Sequence, residues 1–463
     1  MWYTLFTKCM EVFNLNDENE KYIRLTESPI RPLITKLAVP TIISMLVTTF
    51  YNMADTFFVG KIEGDSTSAT GAVGVVFSLM AIIQAVGFFF GHGSGNYISR
   101  RLGAGDSAAA SVMASVGFYS SFIFGIIFAV FGIIFINPLA YALGSTDTIL
   151  PYTRDYLRII LLGAPFMTSS LVLNNQLRFQ GSAFYGMVGI VSGAVINIAL
   201  DPLLIFVFDM GISGAAAATV VSQFFSFLLL FIGCRKGGNL RVSLKNFKPS
   251  GFLLGEIVRG GLPSLLRQSL ASVATICLNT LAGFYGDSAI AAFSVVSRIL
   301  NFAASAIIGF GQGFQPVCGF NYGAKKYDRV KSAFFFSVKV CSVFAALMSV
   351  FLFVFADKAV ALFQNDPDVV KIGTAALRAQ CLSFPVTAWI VMSNMMMQNI
   401  NRVIGASFLA MARQGLFFIP AAFLLNFFFG LSGLICAAPV ADFAALLCAI
   451  PMQLRVLKNL NLD

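Results

Sequence analysis

Long apolar runs follow one another along the whole chain, and they limit what it can fold into. In 463 residues, 57% are hydrophobic and 11% are charged, whereas soluble domains average about 25% charged residues. About 20 apolar residues cross a bilayer as a helix, and a helix satisfies its own backbone hydrogen bonds there. The sequence therefore predicts an all-α membrane protein with twelve spans. They are expected at 33–59, 69–98, 109–136, 154–178, 184–207, 211–234, 254–284, 288–317, 331–355, 369–397, 402–426 and 431–454.

One long polar connection divides the spans into two sets of six. Residues 235–253 are basic and begin with Arg235-Lys236-Gly237-Gly238, a composition typical of a linker. The predicted divisions are an N-terminal tail (1–32), an N-lobe (33–234), a linker (235–253), a C-lobe (254–455) and a C-terminal tail (456–463).

The two halves resemble each other. Pro40 in the first span recurs as Pro263 in the seventh, and Gly103-Ala104 recurs as Gly323-Ala324, with offsets near 220 residues. Since six spans separate the copies, both lobes have the same orientation, and a pseudo-two-fold axis along the membrane normal is expected. Repeats of this kind are typical of secondary transporters.

Basic residues predict the orientation. With the N-terminus in the cytoplasm, about twenty Lys and Arg fall on the cytoplasmic side and about four on the other. Such a bias follows the positive-inside rule. We expect a multi-pass protein of the inner (plasma) membrane with both termini in the cytoplasm.

Two carboxylates, Asp55 and Asp201, lie inside predicted spans. An acid in hydrocarbon is costly, and acids at such places often mark ion or proton pathways. At a rise of 1.5 Å per residue, Asp55 lies roughly 6 Å and Asp201 roughly 9 Å below the outer boundary, with Thr219 roughly 12 Å deep. Asn197 precedes Asp201 by four residues and shares its helix face.

These groups offer only oxygen ligands, which suit a hard cation such as Na⁺ or a bound proton. Pro202 would also free the carbonyl of Ile198, one turn earlier. The alternatives are structural: an acid snorkelling at a helix end, or a hydrogen-bonded Asp201 beside a kink. No other metal site and no cofactor are predicted.

Three further polar features are less specific. Asp442 is the only acid well inside a C-lobe span, and we interpret it as a structural or gating partner of Arg298 or Arg267. His92, the only histidine, is either packed or involved in coupling. Gln176, at the inner end of span 4, is a candidate for the wall of a substrate cavity, as is Arg298.

An ordered set of segments resembles the multidrug and toxic compound extrusion (MATE) family. The segments are Pro40 with Tyr51–Gly60, Arg101–Asp106, Asn197–Pro202 and Gly214–Gln223. The resemblance covers essentially the whole chain and is strongest to the DinF-like branch. It implies a cation site in the N-lobe at Asp55, Asn197, Asp201 and Thr219, and it adds Asn174 to the substrate cavity. The NorM branch carries acids in its seventh and tenth spans, whereas this chain has no acid at Leu265–Ala271 in the seventh or at Arg378–Gln398 in the tenth.

The expected function is secondary antiport: export of amphipathic, cationic organic compounds in exchange for H⁺ or Na⁺. A lipid-linked precursor flippase of the same superfamily is the alternative, and an intramembrane enzyme is a remote one. The enzyme alternative rests on Gly103-Ala104-Gly105-Asp106, which spells the GxGD motif of intramembrane proteases. The expected partners are small organic molecules and the lipid bilayer, without nucleic acid, and the protein is expected to be a monomer.

Overall fold

The computed structural model describes residues 18–59, 66–236 and 240–460. Twelve of its helices are numbered α1 to α12 in chain order. They are α1 Ile30–Val59, α2 Ser66–Gly103, α3 Ser107–Ile134, α4 Leu150–Phe179, α5 Ala183–Pro202, α6 Gly211–Lys236, α7 Gly251–Gly283, α8 Asp287–Gly323, α9 Tyr327–Val354, α10 Pro367–Asn399, α11 Val403–Met411 and α12 Phe418–Asn459. Short helices at Glu18–Glu27, Ile136–Ala142 and Ala356–Ala361 accompany them. Within these ranges no β-strand occurs.

The helices account for twelve membrane crossings. Ten segments are long and apolar enough to span, and the last of these runs from Val403 to Asn459. Gly430 interrupts that segment with a non-helical backbone (φ 59°, ψ −140°) and divides it into two crossings. The 33-residue α7 is long enough to cross but carries Glu256, Arg259 and Arg267. The predicted all-α membrane fold is therefore confirmed.

Two helices carry short π-helical segments. The segment Leu203–Val207 follows α5 directly after Pro202, and after α11 the segment Ala412–Leu416 leads into α12. Pro202 has no amide hydrogen to give to the carbonyl four residues earlier, which loosens the helix at that point. Such segments frequently occur at functional sites.

The chain forms two compact units. The first consists of Met1–Ser28 and Ile43–Gly261, and the second of Pro29–Ile42 and Leu262–Asp463. The lobe boundaries predicted from sequence, 33–234 and 254–455, remain a prediction. The compact units differ from these boundaries in two places. The start of α1, up to Ile42, belongs to the second unit, and the start of α7, up to Gly261, belongs to the first. Of the predicted tails and linker, residues 1–17, 237–239 and 461–463 lie outside the described residues.

In the first unit, the start of α7 packs closely on α2. A Cβ on Gly93 would collide with the backbone of Ile257, and one on Gly261 would collide with Phe89. Arg100 forms an ion pair with Glu256 at 2.9 Å. The absence of side chains lets the two backbones approach, and the ion pair joins the ends of the helices.

In the second unit, the start of α1 packs on α8 in the same way. A Cβ on Gly313 would lie 2.5 Å from Cα of Ala38, and one on Gly309 would lie 2.6 Å from Cα of Ile42. The hydroxyl of Thr41 donates to the carbonyl of Gly309 at 2.6 Å. Glycines thus allow a close helix contact at related places in both units.

Candidate functional site

Three helices of the first unit each carry two polar side chains spaced by four residues. This spacing places both members of a pair on one helix face. The pairs are Tyr51 and Asp55 on α1, Asn197 and Asp201 on α5, and Thr219 and Gln223 on α6.

The two carboxylates predicted from sequence are brought together. Asp55 is 3% exposed and Asp201 is fully buried, and the two interact electrostatically. The side-chain amide of Asn197 donates to Oδ1 of Asp201 at 3.3 Å. The amide therefore holds one carboxylate oxygen in place and leaves the other available.

Tyrosine and glutamine side chains join this group, and the sequence reading did not include them. The side chains of Tyr51 and Gln223 interact with each other, which connects α1 to α6. Tyr156, buried on α4, interacts electrostatically with both carboxylates. Tyr51 and Gln223 could have been found by their four-residue spacing from Asp55 and Thr219.

Four buried oxygens in this region have no hydrogen-bond partner among the residues that the structure describes. They are Oδ1 of Asp55, Oδ1 of Asn197, Oδ2 of Asp201 and Oγ1 of Thr219. Buried polar atoms are nearly always satisfied by a protein group, water or an ion. The same four residues were predicted from sequence as the coupling site, and each is no more than 3% exposed.

The available ligands are carboxylate, amide and hydroxyl oxygens. Such ligands suit protons or a hard monovalent cation and do not suit a thiophilic metal. Among the described residues, no group of three or more His, Cys, Asp or Glu side chains could hold a metal ion.

Asp442 has a different partner from the predicted one. Its Oδ1 lies 2.7 Å from Nε of Arg413, and its Oδ2 accepts a hydrogen bond from Ser383 at 2.9 Å. The prediction of Arg298 or Arg267 was therefore wrong. The rotation of α12 about its own axis determines which residue pairs with Asp442. In the observed rotation Asp442 faces Ser383 on α10 and the π-helical segment that carries Arg413.

The predicted substrate-cavity residues lie in separate environments. Gln176 is buried and donates to Oγ of Ser94 at 3.2 Å and to the carbonyl of Ala114 at 3.0 Å. Asn174 is half-buried and faces Gly186 on α5. Arg298 is an exposed residue of α8, in the second unit. A shared substrate cavity for these residues remains a prediction.

His92 is buried in a polar contact between α2 and α4. Its Nε2 lies 3.2 Å from the guanidinium of Arg178, which also donates to Asn175 at 2.6 Å. The ring stacks on Phe88, with centroids 5.4 Å apart. These contacts agree with the packed interpretation, and a coupling role for His92 remains untested.

The aspartate of the GxGD sequence caps a helix. Oδ1 of Asp106 accepts a hydrogen bond from the backbone amide of Ala109 at 2.9 Å, at the start of α3. A side chain in this position satisfies one of the free amides of the first helical turn. Gly105, with φ of 79°, forms the turn before it. The motif thus has a structural explanation.

Comparison with known proteins agrees with this architecture. The MatE family model matches residues 40–203 and 263–424, once in each half of the chain. The multidrug export protein MepA of Staphylococcus haemolyticus (strain JCSC1435) is 30% identical over 447 residues, covering 96% of this chain and 98% of that protein. No finding assigns the chain to the DinF-like branch, which remains a prediction.

Solved structures show the same fold. A multidrug resistance MATE family transporter of the MOP superfamily, in an outward-facing conformation, has a TM-score of 0.90 and 26% identity, covering 95% of this chain and 99% of that one. A MATE protein crystallised in complex with MaL6 also has a TM-score of 0.90 and 26% identity, covering 96% and 99% of the two chains. The chain therefore belongs to the MatE family, and it is a membrane transporter and not an enzyme.

Proposed function

We propose that the protein is a multidrug antiporter, which exports amphipathic, cationic organic compounds in exchange for H⁺ or Na⁺. Coupling takes place at Asp55, Asn197, Asp201 and Thr219. The observation that carries this proposal is the set of four buried, unpartnered oxygens that these residues supply. The multidrug export named for the MepA relative supports the substrate class.

The chemistry of the site supports ion exchange. Two buried carboxylates that interact repel one another when both are ionised, so binding of a proton or a cation relieves the repulsion. Asn197 holds Oδ1 of Asp201 and leaves Oδ2 to the ion. Release of the ion restores the repulsion, which gives the site two states that differ in charge.

The driving force is sufficient for export. One charge moving down about 100 mV supplies roughly 2.3 kcal/mol, which supports about a 50-fold substrate gradient. When a monovalent substrate exchanges for one monovalent ion, no net charge moves. In that case only the ion concentration gradient drives transport.

Two features support this function over a flippase for lipid-linked precursors. The chain has twelve crossings, and acids occupy the positions proposed for the cation. We further propose that the protein lies in the plasma membrane as a monomer, with both termini in the cytoplasm, as the distribution of basic residues suggests.

Purified protein in sealed vesicles tests the proposal when H⁺ and Na⁺ gradients are imposed separately. A fluorescent organic cation serves as substrate, and its movement is followed in each gradient. We expect movement against the substrate gradient with one of the two ions. If the substrate moved equally well when neither ion gradient was imposed, the result would contradict antiport, because exchange needs an ion to move in the opposite direction.

A further inference from the structure

A groove in the second unit runs between the start of α1 and one face of α9. Its volume is about 940 Å³. Pro29–Pro32 line one side of it, and residues of α9 between Ser332 and Leu347 line the other. Its apolar wall faces outward, with Phe335 47%, Val343 53% and Leu347 68% exposed. A surface of this kind on a membrane-crossing helix faces the lipid.

Two positive charges line the groove, and no acid does. Lys339 is the only charged residue between Ser332 and Val354 on α9. Neither Arg31 nor Lys339 makes an ion pair with any residue that the structure describes. A charge placed inside an apolar span marks a functional site when no protein partner neutralises it.

The two charges can meet at the same membrane surface. Helices α1 and α9 are both odd-numbered crossings and begin on the same side. Arg31 lies in the first turn of α1. Lys339 lies eight residues beyond Lys331, or about 12 Å along α9, and its side chain leans toward the start of that helix. Its ammonium can therefore reach the headgroup level by snorkelling.

We propose that this groove binds one anionic phospholipid of the leaflet in which α1 and α9 begin. The phosphate lies between Arg31 and Lys339, and an acyl chain lies along the apolar wall. From Ser332 to Leu347 that wall is about 22 Å long, which exceeds the half-thickness of about 15 Å that one leaflet contributes. The positive end of the α1 dipole adds to the attraction. The site is separate from the proposed coupling residues, and lipid binding is measured without transport.

Native mass spectrometry of the full chain in neutral detergent tests this site. Phosphatidylglycerol and phosphatidylcholine with identical acyl chains are added, and bound lipid is counted. We expect the unaltered protein to prefer phosphatidylglycerol. This preference should fall about tenfold or more in the double variant Arg31→Gln with Lys339→Gln, because each basic residue contributes to headgroup attraction. Lys339→Arg keeps the charge and should keep the preference. All these positions are exposed, so folding should be preserved.

The matched control is the double variant Arg455→Gln with Lys458→Gln. Both residues are exposed and lie at the end of α12, at the same membrane surface. Their replacement removes two positive charges, as in the test variant. The control should keep the preference. The proposal would be overturned if the unaltered protein bound the two lipids equally. It would also be overturned if both double variants lost the preference for phosphatidylglycerol to the same extent. Displacement of the lipid by soluble glycerol phosphate at matched concentration would also overturn it, because the occupant would then be a free anion.

Discussion

Asn197 donates a hydrogen bond to Oδ1 of Asp201, one helical turn further along α5, at 3.3 Å. Both side chains are buried, and each keeps one oxygen without a partner among the described residues. The amide thus fixes the carboxylate without neutralising it. This arrangement is what a reversible site for a proton or a cation requires, because the ion must be able to leave.

Removing this amide should weaken ion coupling. Asn197→Ala leaves Oδ1 of Asp201 without its donor, and a hydrogen bond to a charged group contributes about 1.5–3 kcal/mol. We expect the apparent affinity for the coupling ion to change by roughly tenfold or more. The measurement is export rate against ion concentration. An unchanged ion dependence in this variant would show that Asn197 takes no part in the site.

The hydroxyl of Tyr51 should be needed for transport. Tyr51→Phe keeps the ring but removes the hydroxyl that interacts with the Gln223 side chain, at a cost of about 1–3 kcal/mol. We expect export to fall severalfold while the protein still inserts and folds. Tyr285→Phe is the control, because that hydroxyl donates an exposed hydrogen bond to Oδ1 of Asn426 at 2.7 Å. Equal losses of export in the two variants would contradict a specific role.

The ion pair between Arg413 and Asp442 should stabilise the second unit without coupling transport. Removing one partner of a buried pair costs about 3–5 kcal/mol. Because the Arg413 side chain is 34% exposed, we expect about 1–3 kcal/mol for Asp442→Asn. The double variant with Arg413→Gln should lose less stability than the sum of the single variants, as measured by thermal unfolding in detergent.

The ion dependence of transport should stay unchanged in Asp442→Asn. Asp55→Asn is expected to shift the pH or Na⁺ dependence of transport. A matching shift in Asp442→Asn would show that the second unit also takes part in coupling. We expect no such change because no acid lies in Leu265–Ala271 of α7 or in Arg378–Gln398 of α10.

Close packing of α1 on α8 should make Gly313 intolerant of a side chain. A Cβ there would lie 2.5 Å from Cα of Ala38, a backbone atom that cannot move aside. We expect Gly313→Ala to lower the free energy of unfolding by about 1–3 kcal/mol. Gly255→Ala is the control, because its Cβ meets nothing within 4 Å. The control should unfold at or above the wild-type temperature, and a similar loss in both variants would contradict the packing argument.

Much of the fold could be predicted from the sequence. Every predicted span coincides with a long helix or its continuation, because lipid forces apolar segments of this length to be helical. Several helices extend past the predicted ends. For example, α2 continues to Gly103 where the prediction ended at 98, since polar turns beyond the hydrocarbon can remain helical. The similar predicted depths of Asp55 and Asp201 in the membrane also indicated that the two acids lie near each other.

Other parts of the site could not be predicted. Tyr156 lies in a predicted span where aromatic side chains usually pack, so no local pattern distinguished it. The pairing of Asp442 with Arg413 depends on helix rotation, which the order of spans does not determine. For the same reason, the grouping of the start of α7 with the first unit could not be predicted.

The central claim is that the charge of Asp201 couples ion movement to export. The most direct measurement compares gradient-driven export by Asp201→Asn and by Asp209→Asn in sealed vesicles. Asp209 is exposed, lies eight residues further along, and has a positive φ of 51° that asparagine also tolerates. We expect Asp201→Asn to insert and fold but to export nothing against a gradient, while Asp209→Asn keeps the wild-type rate. Wild-type export by Asp201→Asn would contradict the account.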